Sequence, residues 1–190
     1  MRLFAAVVPP GGVVGEIRDT VAELRALPGA GELRWAEAAS WHFTVAFYGE
    51  VDEQRVAGLR ERLERAAGRR DAFALCVHGG GRFGDRVLWA GVDGGDGRAA
   101  LVRLAAGASA AGRRVGIRME ERAYKPHLTL ARQGRDGRVS LRPYADLLGG
   151  FRGTPWEVGE LRLVRSHLPR AAHEQPRYET VGAWPLRPPR

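Results

Sequence analysis

Lysine, cysteine and long apolar runs are scarce or missing in this sequence of 190 residues. A single cysteine, Cys76, cannot form an intrachain disulfide bond, which is typical of a reducing compartment, so we expect a cytoplasmic protein. No apolar run approaches the ~20 residues that a membrane-spanning helix needs. The apolar residues 3–8 are followed at once by Pro9 and Pro10, which favours a first β-strand over a signal peptide.

Several motifs that would define other enzyme classes are also missing. The chain has no Walker A sequence, no Gly-x-Gly-x-x-Gly opening a helix and no Gly-x-Ser-x-Gly. The segment His78-Gly79-Gly80-Gly81 is similar to an esterase oxyanion loop, but without a serine nucleophile we expect a flexible hairpin turn there. No closely spaced set of His, Cys and carboxylate residues favours zinc, so we expect no metal.

The charge of the chain favours a polyanionic partner. The formal net charge is +8, and Lys125 is the only lysine among the 30 basic residues. Arginine binds phosphate through two parallel hydrogen bonds, which favours a nucleic acid. The same excess of arginine also fits a codon bias of the genome, so the charge by itself does not identify the partner.

Two short segments repeat one pattern in the two halves of the chain. His42-Phe43-Thr44-Val45 and His127-Leu128-Thr129-Leu130 both read His-x-Thr-x, and each is followed by alanine, in a chain with only five histidines. A single such segment is common by chance. Two of them, each in a β-rich run, indicate the two halves of one site.

Strand geometry explains the chemistry that such a pair offers. Side chains at positions i and i+2 of a strand lie on the same face, so each motif presents an imidazole and a hydroxyl together and turns apolar groups to the core. Two imidazoles can act as acid and base, and two hydroxyls can donate to phosphate oxygens. The pattern therefore predicts a phosphate site.

The periodicity of the remaining chain predicts an α+β fold. Residues 1–190 are expected to form one domain of two similar lobes, approximate halves 1–95 and 96–190, each with one motif, because each half has a motif strand, then a helix, then two strands. Strands are expected at residues 2–8, 32–35, 42–48, 73–77, 87–92, 115–119, 127–132, 156–168 and 178–186, and helices at 13–27, 53–67 after a capping Asp52, 98–111 before a terminating Gly112, and 141–148.

The sequence favours structural roles for the remaining reactive or aromatic side chains. Cys76 lies in an apolar strand and is expected in the core. Trp89 and Trp184 also lie in apolar strands, where packing is commoner than stacking on nucleic acid bases. His167 and His173 fall in the last hairpin and its loop, where we expect solvated surface.

The paired motifs resemble those of the 2H phosphoesterase superfamily. Flanking segments narrow the resemblance to the RNA 2′,3′-cyclic phosphodiesterases, also called 2′-5′ RNA ligases, and extend it over nearly the whole chain. These segments are residues 2–5, 33–35, 42–51, 87–92, 126–132, 165–168 and 178–179.

The resemblance implies a bilobal α+β fold with an antiparallel sheet and outer helices in each lobe, related by a pseudo-two-fold axis around a central cleft. It implies a site without metal or cofactor, in which His42 is the proton donor and His127 the proton acceptor. Thr44 and Thr129 would bind the phosphate. Arg132 would be a further phosphate ligand, although strict alternation places it on the face opposite His127 unless the strand bends or ends there.

The resemblance also implies the substrate. The expected partner is RNA with a 2′,3′-cyclic phosphate end, either tRNA-like or an oligonucleotide. The cyclic phosphate would be opened to a 2′-phosphate. We expect the protein to be a monomer with no membrane partner. The same site run in reverse would join RNA ends without ATP. A small cyclic nucleotide or a 2′-5′ oligonucleotide as substrate, or a non-catalytic module that binds RNA ends, remain alternatives. The sequence alone does not decide which histidine is the acid.

Overall fold

The computed structural model describes residues 1–169, 171 and 174–189, so His173 and the last residue of the chain lie outside the described residues. The described part contains ten strands and four α-helices. The strands are β1 (Arg2–Val7), β2 (Leu33–Trp35), β3 (Phe43–Glu50), β4 (Phe73–Leu75), β5 (Val77–Phe83), β6 (Val87–Val92), β7 (Leu128–Gln133), β8 (Trp156–Val158), β9 (Glu160–His167) and β10 (Arg177–Pro185). The helices are α1 (Gly11–Arg25), α2 (Glu53–Ala67), α3 (Asp96–Arg114) and α4 (Arg142–Leu148).

Two antiparallel sheets of four strands form the body of the fold. The first sheet has the strand order β10-β9-β1-β3, and the second has the order β2-β7-β6-β5. Strands β4 and β8 form a separate antiparallel pair. The predicted α+β class is confirmed.

Each sheet has its own helices. Helices α2 and α3 pack on the first sheet, while α4 packs on the second sheet and also contacts α1. Helix α2 begins after Asp52 as expected, but in the described structure that carboxylate makes no capping hydrogen bond. The helical spacing found in the sequence places one stripe of α1 in the core, formed by Val13, Ile17, Val21 and Leu24. No helix within the described ranges has the length and apolarity to cross a membrane.

The sheets do not follow the expected division near residue 95. The first sheet combines β1 and β3 with β9 and β10 from the end of the chain, and the second combines β2, β5 and β6 with β7. Strand β1 is buried from Leu3 to Val7, so it is a central strand that needs a partner on each side. Strands β3 and β9 are those partners, so the last hairpin returns to the first strand. The two motif strands nevertheless lie in different sheets.

The expected hairpin turn at residues 78–81 is wrong, because these residues belong to β5. The glycines there allow close packing instead of a turn. A Cβ atom at Gly81 would lie 2.6 Å from the Trp89 ring, and one at Gly80 would lie 2.5 Å from the Trp89 carbonyl oxygen. The hairpin turns further on, where Gly84 has a φ of +55°.

Helix α3 does not end at Gly112 and is not followed by the expected strand at 115–119. It continues to Arg114 and is terminated by Gly116, two residues further on, whose φ is +78°. The amide of Ile117 donates to the Gly112 carbonyl at 3.0 Å, as in a helix that ends on a left-handed glycine. Ile117 and Met119 are both buried, which explains the strand-like alternation in a segment that pairs with no strand of the described structure.

Two glycines of α3 give a matched test of this packing. We expect Gly107→Ala to stabilise the fold by up to ~1 kcal/mol, because a Cβ there meets only Ala66 at 3.6 Å. Gly112→Ala should destabilise it by about 1–3 kcal/mol, because the new Cβ would lie 2.6 Å from Met119 Sδ. Urea unfolding of the two variants measures both effects. Equal changes in the free energy of unfolding would contradict this packing.

Candidate active site

His42 lies immediately before β3 among aromatic rings. Its Nδ1–H donates to the Ser40 carbonyl at 2.7 Å, and its Nε2 lies 3.1 Å from Thr44 Oγ1. The imidazole stacks on Phe4 with ring centroids 4.7 Å apart, and the edge of the Tyr178 ring lies against it at 5.2 Å. Since a carbonyl oxygen can only accept, the proton of the neutral imidazole sits on Nδ1 and Nε2 is free of it.

His127 repeats this arrangement immediately before β7. Its Nδ1–H donates to the Lys125 carbonyl, also two residues earlier and also at 2.7 Å. The edge of Phe83 lies against the imidazole at 5.0 Å, and Trp89 lies 6.3 Å away. The ammonium group of Lys125 covers the Trp89 ring at 4.8 Å. Within the described residues, His127 Nε2 has no hydrogen-bond partner.

The two histidines are brought together from the two sheets. Strands β3 and β7 contact each other, and His127 is close enough for its charge to lower the pKa of His42. Arg132 links the same groups, because its charge acts on the pKa of both His127 and Tyr178. Tyr178 in turn contacts His42. The side chains of both motifs therefore border one region between the sheets.

A β-bulge in each motif strand changes which side chains share a face. On β7, Trp89 pairs with Thr129 but the neighbouring Leu88 pairs with Ala131, so Leu130 is an extra residue. Alternation restarts after the bulge, and Arg132 lies on the same face as Thr129. The expectation from strict alternation, which put Arg132 on the opposite face, is therefore wrong.

The same type of β-bulge occurs in the first sheet. On β3, Thr44 pairs with Ala6 and Ala46 with Ala5, so Val45 is the extra residue. The position equivalent to Arg132 is occupied here by Phe47, whose ring is covered by the Arg2 guanidinium at 4.8 Å. The two lobes thus share a backbone pattern, but the cation at this position comes from the motif strand itself in the second lobe and from β1 in the first.

The surroundings lower the pKa of both imidazoles. Burial lowers the pKa of His42 below its ordinary value of 6.5, against the hydrogen bond to Ser40, and the charge of His127 lowers it further. Burial also lowers the pKa of His127, and here the neighbouring charges of Arg132 and Lys125 add to the effect. His127 therefore has the more cationic surroundings.

Several site residues were not identified from the sequence. Phe4 and Tyr178 enclose His42, and Phe83 and Lys125 border His127. Lys125 had a signal, because it is the only lysine in the chain and lies two residues before His127. Phe4 and Tyr178 had only their positions in segments that resemble the family. Nothing in the pattern of β5 distinguished Phe83 from a core residue.

The residues that were expected to be structural lie mostly in the core. Cys76 is buried, and its thiol donates to the Gly153 carbonyl at 3.1 Å. Trp184 and Trp89 are buried, although Trp89 also borders His127. His167 is half-buried, and its Nε2 lies 2.9 Å from a carboxylate oxygen of Glu179. Among the described residues, no group of three or more His, Cys, Asp and Glu side chains could hold a metal ion.

Comparison with known proteins identifies the class to which this fold and site belong. The family model of the LigT-like phosphoesterases matches residues 7–89 and 94–172, which together are more than half of the chain. The chain belongs to the LigT-like phosphoesterase family of the 2H superfamily. The resemblance inferred from the paired motifs is confirmed.

Curated relatives are similar over most of this chain. An RNA 2′,3′-cyclic phosphodiesterase of Aeropyrum pernix is 31% identical over 175 residues, which are 90% of this chain and 93% of that protein. One of Geobacillus stearothermophilus is 31% identical over 156 residues, or 80% of this chain. The matched region spans only about half of that second relative, 47% of its length.

Solved structures share the two-lobed fold. A crystal structure of a Thermus thermophilus protein matches with a TM-score of 0.78 and 25% identity, covering 99% of both chains. Escherichia coli LigT in complex with 3′-AMP matches with a TM-score of 0.75 and 24% identity, covering 97% of this chain and 96% of that one. The second likeness supports the fold alone.

A titration tests the position of Arg132 without relying on activity. We expect Arg132→Gln to raise the pKa of His127, because a positive charge that disfavours the imidazolium is removed, and to affect His42 less. NMR titration of the two imidazoles measures this. Arg103→Gln on the exposed side of α3 is the control and should change neither value. An unchanged pKa of His127 in Arg132→Gln would contradict the bulged arrangement.

Proposed function

We propose that this protein hydrolyses the 2′,3′-cyclic phosphate at the end of an RNA chain and leaves a 2′-phosphomonoester. The observation that carries the proposal is the pair of imidazoles, one from each sheet, each with Nδ1 held by a main-chain carbonyl. With Nδ1 occupied in both rings, Nε2 is the atom of each imidazole that can act on a ligand. Two such groups supply the proton removal and the proton donation that opening of a cyclic diester needs.

In the proposed reaction, His127 is the general base and His42 the general acid. His127 Nε2 takes a proton from water while the water oxygen bonds to phosphorus. The bond from phosphorus to the 3′ oxygen breaks, and His42 Nε2–H gives its proton to that oxygen. No metal is required, because the two histidines carry both protons and the diester is the only group cleaved.

The charges around the two rings support this choice of acid and base. Arg132 and Lys125 disfavour the protonated form of His127, as a base requires. His42 lies instead between Phe4 and Tyr178, and the nearby charge that lowers its pKa is that of His127 itself. A bound phosphate diester adds a negative charge, which raises the pKa of His42 and favours the protonated acid.

The remaining groups would bind the phosphate as charge develops on it. Thr44 and Thr129 share a face with their histidines, and their hydroxyls can donate to the non-bridging oxygens. The Thr129 hydroxyl has no hydrogen-bond partner among the described residues, so it is available. Arg132, on the same face after the bulge, supplies a charged donor.

The names of the relatives support an RNA end as the substrate. The curated relatives with the stated coverage are RNA 2′,3′-cyclic phosphodiesterases, and Escherichia coli LigT has been crystallised with 3′-AMP and with phosphate. A 5′-hydroxyl in place of water would attack the same phosphorus, with His127 again taking the proton of the nucleophile and His42 again protonating the departing 3′ oxygen. The product would be a 2′-5′ linkage formed without ATP.

The product isomer is the first test of the proposal. An RNA with a 2′,3′-cyclic phosphate end is incubated with the protein in EDTA, and the product is treated with a phosphatase specific for 3′-phosphates. We expect turnover and a product that resists the phosphatase, because only the bond to the 3′ oxygen breaks. Binding of the RNA without any product would instead favour a non-catalytic module. A 3′-phosphate product would contradict the assigned roles.

Removal of either imidazole should slow the reaction strongly. We expect His42→Ala and His127→Ala each to reduce kcat by about 10²- to 10⁴-fold, which is the usual contribution of one general acid or base. His167→Ala, a half-buried histidine on β9, is the matched control and should retain activity. Circular dichroism establishes that all three variants are folded. Near wild-type turnover in either motif variant would refute the two-histidine mechanism.

A further inference from the structure

A cavity rich in arginine lies beside the catalytic region. It has a volume of about 650 Å³ and is open at the end of the second sheet, where β2, β6 and β7 meet the loop that follows β7. Arg132 lines this cavity as well as acting on His127, so the two spaces adjoin. Four further arginines line it: Arg34, Arg86, Arg135 and Arg138. We call this cavity the arginine pocket.

The walls of the arginine pocket are held together by one side chain. Gln133 Nε2 donates to the carbonyls of Asp85 at 2.9 Å and Val139 at 2.7 Å, which join the turn before β6 to the loop after β7. In the pairing of β2 with β7, Arg34 lies directly opposite Arg132. Residues directly opposite each other in a sheet share a face, so these two guanidinium groups lie on the same side.

The positive charge of the pocket is not neutralised by the protein. In the described part of the chain, none of the five arginines that line the pocket, Arg132 among them, makes an ion pair. Asp85 lines the pocket, but its carboxylate already accepts from Arg82 at 3.2 Å and from the amide of Leu141 at 2.9 Å. Adjacent like charges repel each other, so an anionic ligand would stabilise this arrangement.

The arginine pocket lies on one side of the catalytic region, at the second sheet. In the first sheet the position equivalent to Arg132 is the aromatic Phe47, while in the second sheet it is a cation that continues into Arg34 and the rest of the pocket. The five arginines that line the cavity therefore present clustered positive charge along the second sheet to a chain with a phosphate at every nucleotide. The spread of several arginines over one cavity suits successive phosphates better than a single small anion.

We propose that the arginine pocket binds the backbone phosphates of the RNA chain that precedes the cyclic phosphate end. The protein then acts on the ends of oligonucleotides in preference to cyclic mononucleotides. This inference rests on the proposed function and adds the length of the substrate to it. Arg132 lies between the two spaces and contributes to both.

Two substrates separate the pocket from the catalytic region. One is a nucleoside 2′,3′-cyclic monophosphate, and the other is an oligoribonucleotide of roughly eight nucleotides with the same cyclic end, a length typical of single-strand sites. We expect the ratio of kcat/KM, oligonucleotide over mononucleotide, to fall about tenfold in a triple variant with Arg34→Gln, Arg86→Gln and Arg138→Gln, mainly through KM. The mononucleotide has no second phosphate for the pocket to bind, so it reports on the catalytic region.

Salt dependence gives a second, independent readout. Each contact with a phosphate of single-stranded nucleic acid adds about 0.7 to the slope of log K against log salt, so loss of three contacts should reduce the slope for the oligonucleotide by about 2. Arg103→Gln on α3 is the charge control, because this arginine is exposed and does not line the pocket. It should leave the ratio and the slope unchanged.

The outcomes distinguish this inference from the function on which it rests. If the wild-type protein opens neither cyclic substrate, the proposed function fails. If it opens both, and the triple variant keeps the wild-type ratio and slope, the function stands and the arginine pocket does not bind RNA. Equal losses on both substrates would also overturn the inference, because the arginines would then act at the catalytic region itself.

Discussion

One hydrogen bond, made twice, governs the chemistry available to this protein. In each lobe a main-chain carbonyl accepts the Nδ1–H of the histidine two residues later, at 2.7 Å. The bond fixes the tautomer and the direction of the ring, so that Nε2 is the atom left for proton transfer. Without it, either nitrogen could face the phosphate, and the two rings could not hold complementary roles. In the proposed reaction, the threonines and the arginine of the site bind the phosphate, and the two rings transfer the protons.

The bulges are the second constraint, because they decide what stands next to the histidines. Val45 and Leu130 each add one residue directly after a motif threonine. In both sheets this turns the residue three positions after that threonine toward the site. The repeated backbone then receives different side chains, Phe47 in one lobe and Arg132 in the other. A symmetric scaffold thereby produces an asymmetric electrostatic environment, which distinguishes a base from an acid.

The sequence is sufficient for the main features of the fold and for the centre of the site. The strand and helix positions follow from periodicity to within a few residues for most elements, because buried positions repeat at the spacing of each element, as in α1. The histidine pair follows from a repeated pattern of chemistry-bearing residues. The family model that confirms the class matches residues 7–89 and 94–172, which include both motif segments.

Other features depend on contacts between distant parts of the chain. Gly80 and Gly81 resemble a turn until the position of Trp89 is known, and Gly112 resembles a helix end until Met119 packs on it. The exchange of strands between the halves follows from the burial of β1 on both sides. An extra residue in a ladder, as at Leu130, depends on the partner strand, so alternation within β7 could not place Arg132.

The central claim is that two imidazoles in opposite protonation states act on one phosphate, and the pH dependence of kcat/KM for the wild type and the two histidine variants tests it most directly. The base must be neutral and the acid protonated, so the rate rises through the pKa of His127 and falls through that of His42. Because both pKa values are lowered from 6.5, we predict a bell with its maximum below pH 6.5 for the wild type.

The pH dependence of the residual activity of each variant completes this measurement. We predict that His127→Ala loses the rising limb and that His42→Ala loses the falling limb, because each variant lacks one of the two titrating groups. The account would be contradicted if both variants kept the complete bell, or if both lost the same limb.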